Sequence, residues 1–302
     1  MDDRATAGDY VDPMSERLLG AAADVLRSFG SAFGGRHLAI IGGAVPSLLV
    51  AQVPAGIEQH VGTADLDLHL GLHLMDGETA DYYDAIIDGL ERLGLAPDVD
   101  GDREVKWRWV GTHRGARLQV ELLCPERTCG GRPEGPARNT NAERNVGPTG
   151  EITALALGLG HLVADDTVTV DRVVETSDGR LRFEFPVAGV ASWLCLKSDA
   201  IMRRSKPKDA YDVVWLVAGL GPDEAVRRVL ASPLMAGDLR TQVIAQLSRL
   251  AEQFEDVEAV GPRSYAAFLD GESPERDRRY AVGAITEFWR VLRESLEHPV
   301  DS

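Results

Sequence analysis

From Thr63 to Leu70 the chain reads TADLDLHL, a strict alternation. Leu66, Leu68 and Leu70 fall on one face of a predicted strand, and Asp65, Asp67 and His69 on the other. Residues 14–33 carry leucine and valine at helical spacing, and Gly34-Gly35 ends that helix. Arg36 to Ile41 is a short apolar strand, Gly42-Gly43 a turn, and Pro46 suits the first turn of a helix reaching Gln52. A loop over 53–61 leads into the alternating strand. Thr79 to Gly94 predicts a helix with Tyr83, Ile86, Ile87, Leu90 and Leu93 inward. EVKWRWV (104–110) and RLQVELL (117–123) predict a hairpin turning at His113–Gly115, with Arg117, Gln119 and Glu121 on one face of its second strand.

Residues 125–150 are rich in Gly, Pro, Asn and Arg and have no apolar period, which predicts a long mobile loop between two lobes. A short helix near Ile152–Gly158, strands at VTVDRVVE and RLRFEF, a helix VASWLCLKSDAIMRR, another opened by Pro207, and helices over 222–298 follow. The expected fold class is mixed α/β (α+β): a mixed sheet flanked by helices, then a mainly helical lobe. The expected division is a disordered tail at 1–13, a core at 14–124, a flexible loop at 125–150, and a helical lobe at 151–302 that completes the active site.

Composition narrows the function. With 302 residues and 44% hydrophobic content the chain can bury a sizeable core. No run of about 18 apolar residues is present, so no membrane span is expected. The start, MDDRATAGDY, is polar and acidic, unlike a secretory signal. Cys124, Cys129 and Cys195 are few and scattered, which predicts reduced thiols and a cytoplasmic protein. A formal net charge of -16 argues against broad nucleic-acid binding but leaves room for local basic clusters and a basic partner.

Two stretches carry chemistry. Adjacent carboxylates at Asp65 and Asp67 repel unless solvated or bridged by a hard cation such as Mg²⁺ or Mn²⁺. Gly42 and Gly43 permit close approach of backbone to phosphate oxygens. Taken singly, each also fits an ordinary turn or a solvated strand face. Glu121 is a third carboxylate candidate, or a cross-strand partner of Lys106 or Arg108. Lys197 lies in an apolar helical stripe, where a bound phosphate or a snorkelling stem would explain it. Asp209 suits a helix N-terminus, and Asp212 lies four residues after Lys208.

In this order the features resemble the nucleotidyltransferase superfamily of the DNA polymerase β-like fold. Lys197 followed by Lys208-Asp209-Ala210-Tyr211-Asp212 is similar to the AbiEii/AbiGii toxins within it, over roughly residues 36 to 217. The resemblance implies a Mg²⁺-dependent nucleotidyltransferase, the toxin of a toxin–antitoxin or abortive-infection pair with a cognate antitoxin. It would move a nucleotide from a nucleoside triphosphate to an acceptor, tRNA 3′ ends first, blocking translation. It makes Asp65 and Asp67 metal ligands with Glu121, and Lys197 a phosphate ligand. Asp209 or Asp212 completes the site, and Gly42, Gly43, Ser47 and Lys208 meet the nucleotide. Ala44 departs from the hydroxyl residue common after the Gly pair, which leaves phosphate contact to Ser47 or the backbone. Arg103, Lys106, Arg108, Arg114 and Arg117, interleaved with Trp107 and Trp109, and Arg203, Arg204, Lys206 and Lys208 are the clusters open to RNA. A cationic small molecule such as an aminoglycoside, a protein hydroxyl, or a non-catalytic nucleotide-binding regulator are the alternatives.

Overall fold

The computed structural model describes residues 5–10, 16–30, 38–63, 65–71, 80–126, 143–145, 151–204 and 206–298. The chain forms two compact units that interleave in sequence. One contains residues 14–44 and 63–188; the other contains 1–13, 45–62 and 189–302. The expected cut at 125–150 is therefore not where the units part. The physical reason is that strands beyond residue 150 add to the same sheet as the N-terminal strands.

The first, sheet-bearing unit holds strands β1 (Leu38–Ile41), β2 (Asp65–Leu70), β3 (Leu95–Asp100), β4 (Arg103–His113), β5 (Ala116–Pro125), β6 (Glu143–Asn145), β7 (Thr153–Leu157), β8 (Thr167–Thr176) and β9 (Gly179–Ala188). Their order is β3-β4-β5-β2-β1-β9-β8, with β7 on β5 and β6 on β7. β2 is central, antiparallel to β1 and parallel to β5. The leucine row at 66, 68 and 70 is fully buried, as the alternation requires, together with Val120, Leu122 and Ile40. Helices α1 (Glu16–Ser28) and α3 (Ala80–Arg92) belong to this unit, and Tyr83, Ile86 and Leu90 are buried as expected. Ile87 and Leu93 are only half-buried. The hairpin turn holds Arg114 and Gly115 at φ 51° and 78°, the left-handed pair of a tight two-residue hairpin loop.

Three sequence expectations change here. β3 was not predicted, because Pro97 and Asp98 look like turn residues; they occupy a bulged edge strand, where a missing N–H costs little. The expected helix near Ile152–Gly158 is strand β7, followed by a short helix α4 (His161–Asp165). Alternate burial of Ala154 and Ala156 shows that period 2 overrode the helix propensity of Ala and Leu. Cys195 is a buried free thiol, but Cys124 is disulfide-bonded, against the expectation that all the thiols are reduced; Cys129 lies outside the described residues.

The second unit is helical: α2 (Val45–Leu49), α5 (Val190–Arg203), α6 (Pro207–Leu220), α7 (Pro222–Leu230), α8 (Arg240–Glu252), α9 (Val260–Leu269) and α10 (Pro274–Glu297). Trp193, Val213, Val214, Phe254, Phe268 and Phe288 build its core. Segment 45–62 is held to α6 and α7 by hydrogen bonds. Trp215 Nε1 donates to the Glu58 carbonyl (2.9 Å), Val61 N–H to the Tyr211 hydroxyl (3.1 Å), and Arg228 to the Leu49 carbonyl (3.1 Å). Among the described residues no helix is long and apolar enough to cross a membrane.

His69, on the same face of β2 as the two aspartates, is buried, and burial pushes its imidazole down to about 4. The folded state thus binds this proton less readily than the unfolded chain. His69 contributes no penalty above pH 6.5, and its share of stability is lost as pH falls from 6.5 towards 4. We expect His69→Leu to remove a loss on the order of 3 kcal/mol from the pH 7 to pH 4 stability profile. Parallel urea-denaturation profiles of the two proteins across that range would contradict this.

Candidate functional site

Two groups of polar side chains stand out, one in each unit. In the sheet unit, the register of β2 on β5 sets Asp65 beside Gln119 and Asp67 beside Glu121. Directly paired residues of neighbouring strands project from the same face, so Asp65, Asp67 and Glu121 share one. All three are half-buried. β1 ends with Ile41 opposite Asp67, and the chain then turns through a 3₁₀ turn, Gly42–Ala44. Gly42 has φ 73°, and a Cβ there would overlap the Asp67 carboxylate. The Gly at this position is thus a requirement of close approach as well as of backbone conformation.

Glu121 Oε1 accepts from Arg108 Nε (3.0 Å) and Gln119 Nε2 (2.9 Å), so the cross-strand pairing weighed from sequence does form. Among the described residues no group of three His, Cys, Asp or Glu side chains is arranged to hold a metal ion. The donor set nevertheless suits a hard cation, since all three side chains offer carboxylate oxygens.

In the helical unit, α5 and α6 bring together the residues singled out around Lys197. Asp209 and Asp212 lie three apart on α6, hence on one face. Lys197 Nζ reaches across from α5 and donates to both, at 2.7 Å each. Lys208 Nζ donates to Asp212 (2.6 Å), and Arg204 grips Asp209 through two nitrogens at 2.8 and 3.0 Å. Lys197, Asp209 and Asp212 are all buried, so the lysine is no snorkeller. The lysines and Arg204 hold both carboxyls below the usual carboxylate range despite burial, and the aspartates raise Lys197. Burial and the neighbouring Lys197 push Lys208 the other way, down. Among the described residues, three cations here contact these two carboxylates.

His60 was not singled out from sequence, because nothing local distinguishes it. It is buried, with its ring stacked on Tyr211 (5.2 Å between centroids) and edge-on to Trp215 (4.8 Å). Its Nε2 lies 3.0 Å from Asp212 Oδ1, and its Nδ1 lies 3.2 Å from Ser47 Oγ. Gly62 N–H also donates to Nδ1 at 3.0 Å. An N–H donor fixes Nδ1 as the acceptor, so the proton is on Nε2 and points at Asp212. Burial lowers the ring's affinity for a second proton, which keeps it neutral. Ser47, expected to meet phosphate, lies within hydrogen-bond distance of His60 Nδ1 instead.

Several residues of the basic clusters expected for RNA pair within the chain. Arg103 pairs with Glu143, Arg108 with Glu121 and Asp98, Arg114 with the Glu175 carbonyl, and Arg203 with Asp199. Trp109 is a core residue, 2% exposed; Trp107 lies under the Arg108 guanidinium at 4.4 Å. Arg117 remains exposed on β5.

Residues 157–293 match a family model described as nucleotidyl transferase AbiEii toxin, type IV toxin–antitoxin system. The matched region contains Lys197, Lys208, Asp209 and Asp212, and begins after Gly42, Gly43, Asp65, Asp67 and Glu121. A comparison with curated proteins found no match. The family resemblance drawn from Lys197 and the Lys-Asp-Ala-Tyr-Asp stretch therefore holds over this region, and it is a family of nucleotidyltransferase toxins paired with an antitoxin.

Asp212 is the acceptor shared by three donors. Asp212→Ala leaves buried Lys197 and half-buried Lys208 with one carboxylate between them, and is expected to lower the unfolding free energy by about 3–5 kcal/mol. A loss below about 1 kcal/mol in urea denaturation would show that the network is energetically idle.

Proposed function

We propose that this AbiEii-type chain is a divalent-cation-dependent nucleotidyltransferase toxin that moves a nucleoside monophosphate from a triphosphate to the 3′ end of tRNA. The observation that carries the reading is the shared face of Asp65, Asp67 and Glu121, set beside a glycine turn whose backbone lies so close to the Asp67 carboxylate that a Cβ would overlap it. Asp65 and Asp67 would hold Mg²⁺ or Mn²⁺, with Glu121 as the third oxygen donor. Such a cation, when bound, neutralises triphosphate charge and favours the hydroxyl attack.

The other roles belong to the chain's own groups. Arg108 and Gln119 orient Glu121 by its Oε1, leaving Oε2 for a further contact. Lys197 fixes Asp209 and Asp212 in place, and the cations of that group suit phosphate oxygens. Asp212 is the better match for the family's final aspartate than Asp209. It alone of the two touches both lysines and His60. The net charge of -16 favours one second reading, transfer to a cationic small molecule such as an aminoglycoside, because an acidic surface attracts it and repels RNA.

Incubation with Mg²⁺, each α-³²P-labelled triphosphate and total tRNA should label the tRNA band with one triphosphate. Asp65→Ala should abolish that label while keeping the native far-UV spectrum. Undiminished labelling by Asp65→Ala would remove Asp65 from the mechanism. Label transferred to an aminoglycoside and not to tRNA would establish the second reading instead.

A further inference from the structure

Gln119 lies on β5 among the carboxylates of the sheet unit. Strand register sets it directly beside Asp65 of β2, and it stands two residues before Glu121 on the same face. On its other side the register of β4 sets Val110, whose side chain offers no polar atom. Gln119 is only 8% exposed, so its amide has to find partners inside the protein. The nitrogen has one: Nε2 donates to Glu121 Oε1 at 2.9 Å. The opposite orientation of the amide is ruled out, because a carboxylate accepts and an amide oxygen has no proton to give it. The carbonyl end, Oε1, forms no hydrogen bond among the described residues. The Asp65 carboxylate likewise has no hydrogen-bond or ion-pair partner among them.

A buried amide oxygen without a partner is costly, and its polar neighbours here, Asp65 and Glu121, are acceptors too. No proton is available to share between them. A hard cation satisfies such a set of oxygens together. The carboxylates by themselves do not form a metal site among the described residues, so a cation held on this face needs an oxygen from elsewhere.

We infer that Gln119 is a ligand of the divalent cation, its carbonyl oxygen adding a neutral fourth donor to Asp65, Asp67 and Glu121. The inference rests on the cation site of the proposed function and deepens it. Side-chain amide oxygens ligate hard divalent ions alongside carboxylates and add no further charge to repel them. With four oxygens supplied by the protein, the cation is held before a triphosphate arrives. The same amide also positions Glu121: its nitrogen engages Oε1 and leaves Oε2 for the ion.

The test titrates MnCl₂ into the full chain without triphosphate, following free Mn²⁺ by electron paramagnetic resonance and the fold by far-UV spectra. The parent chain is expected to bind Mn²⁺. Gln119→Met keeps the side chain's length and loses its oxygen, and should weaken binding about 10-fold or more. Gln119→Glu cannot donate to Glu121 but keeps an oxygen, and should bind Mn²⁺ at least as tightly as the parent chain. A residue that only positions Glu121 would lose its role in both variants. Undiminished binding in a folded Gln119→Met, or weakened binding in Gln119→Glu, overturns the inference. The second arm decides even where Gln119→Met fails to fold. Mn²⁺ binding by the parent chain that appears only after a triphosphate is added also overturns the inference, and leaves the nucleotidyltransferase reading in place. No Mn²⁺ bound under either condition removes both.

Discussion

Lys197 is the residue on which the helical unit's chemistry depends. Two carboxylates one turn apart on a buried helix face cannot stay ionised unaided, because burial and mutual repulsion both favour protonation. Lys197 removes that obstacle by donating to both from a different helix, so α5 and α6 have one register in which the charges are satisfied. Ion pairs of this kind contribute little net stability over an apolar core, but they are costly to break and therefore specify geometry. From Asp212 the constraint passes to His60, and through His60 to Ser47 and the whole 45–62 segment. A stretch that follows the glycine turn in sequence is thereby tied to a helix some 150 residues further on.

The sheet unit solves the opposite problem. Its carboxylates are gathered on a half-open face, where Glu121 pairs with Arg108. The buried leucine row of β2 makes that gathering unavoidable: with Leu66, Leu68 and Leu70 inward, Asp65 and Asp67 have no other face to occupy. β5 then delivers Glu121 alongside Asp67 by register alone. The sheet unit thus gathers carboxylates on one face, and the helical unit gathers cations around Lys197.

Much of this was legible in the sequence because it rests on short periods. The alternation ending at Leu70 and the hairpin strands at 104–110 and 117–123 have local signatures that the fold follows, and the Lys197–Asp212 stretch lies in the region that matches the family model. What was not legible depends on partners far along the chain. His60 carries no local mark; its importance comes from Asp212, Ser47 and two rings of α6. The pairing of Arg103, Arg108, Arg114 and Arg203 could not be read from a run of basic residues, so the clusters looked more available to RNA than they are. β3 was hidden because Pro97 is tolerated only by an edge, and edges are a property of the folded sheet. The interleaving of the two units likewise arises from strand pairing after residue 150, not from any compositional break.

On the proposed function, the chain binds a nucleoside triphosphate through a cation held by Asp65 and Asp67. Calorimetric titration of each triphosphate into the full chain, with Mg²⁺ and with chelator, tests it most directly. Saturable binding of at least one triphosphate, requiring Mg²⁺ and lost in Asp67→Asn, is the expected result. Binding of equal strength with chelator present, or undiminished in Asp67→Asn, would contradict it.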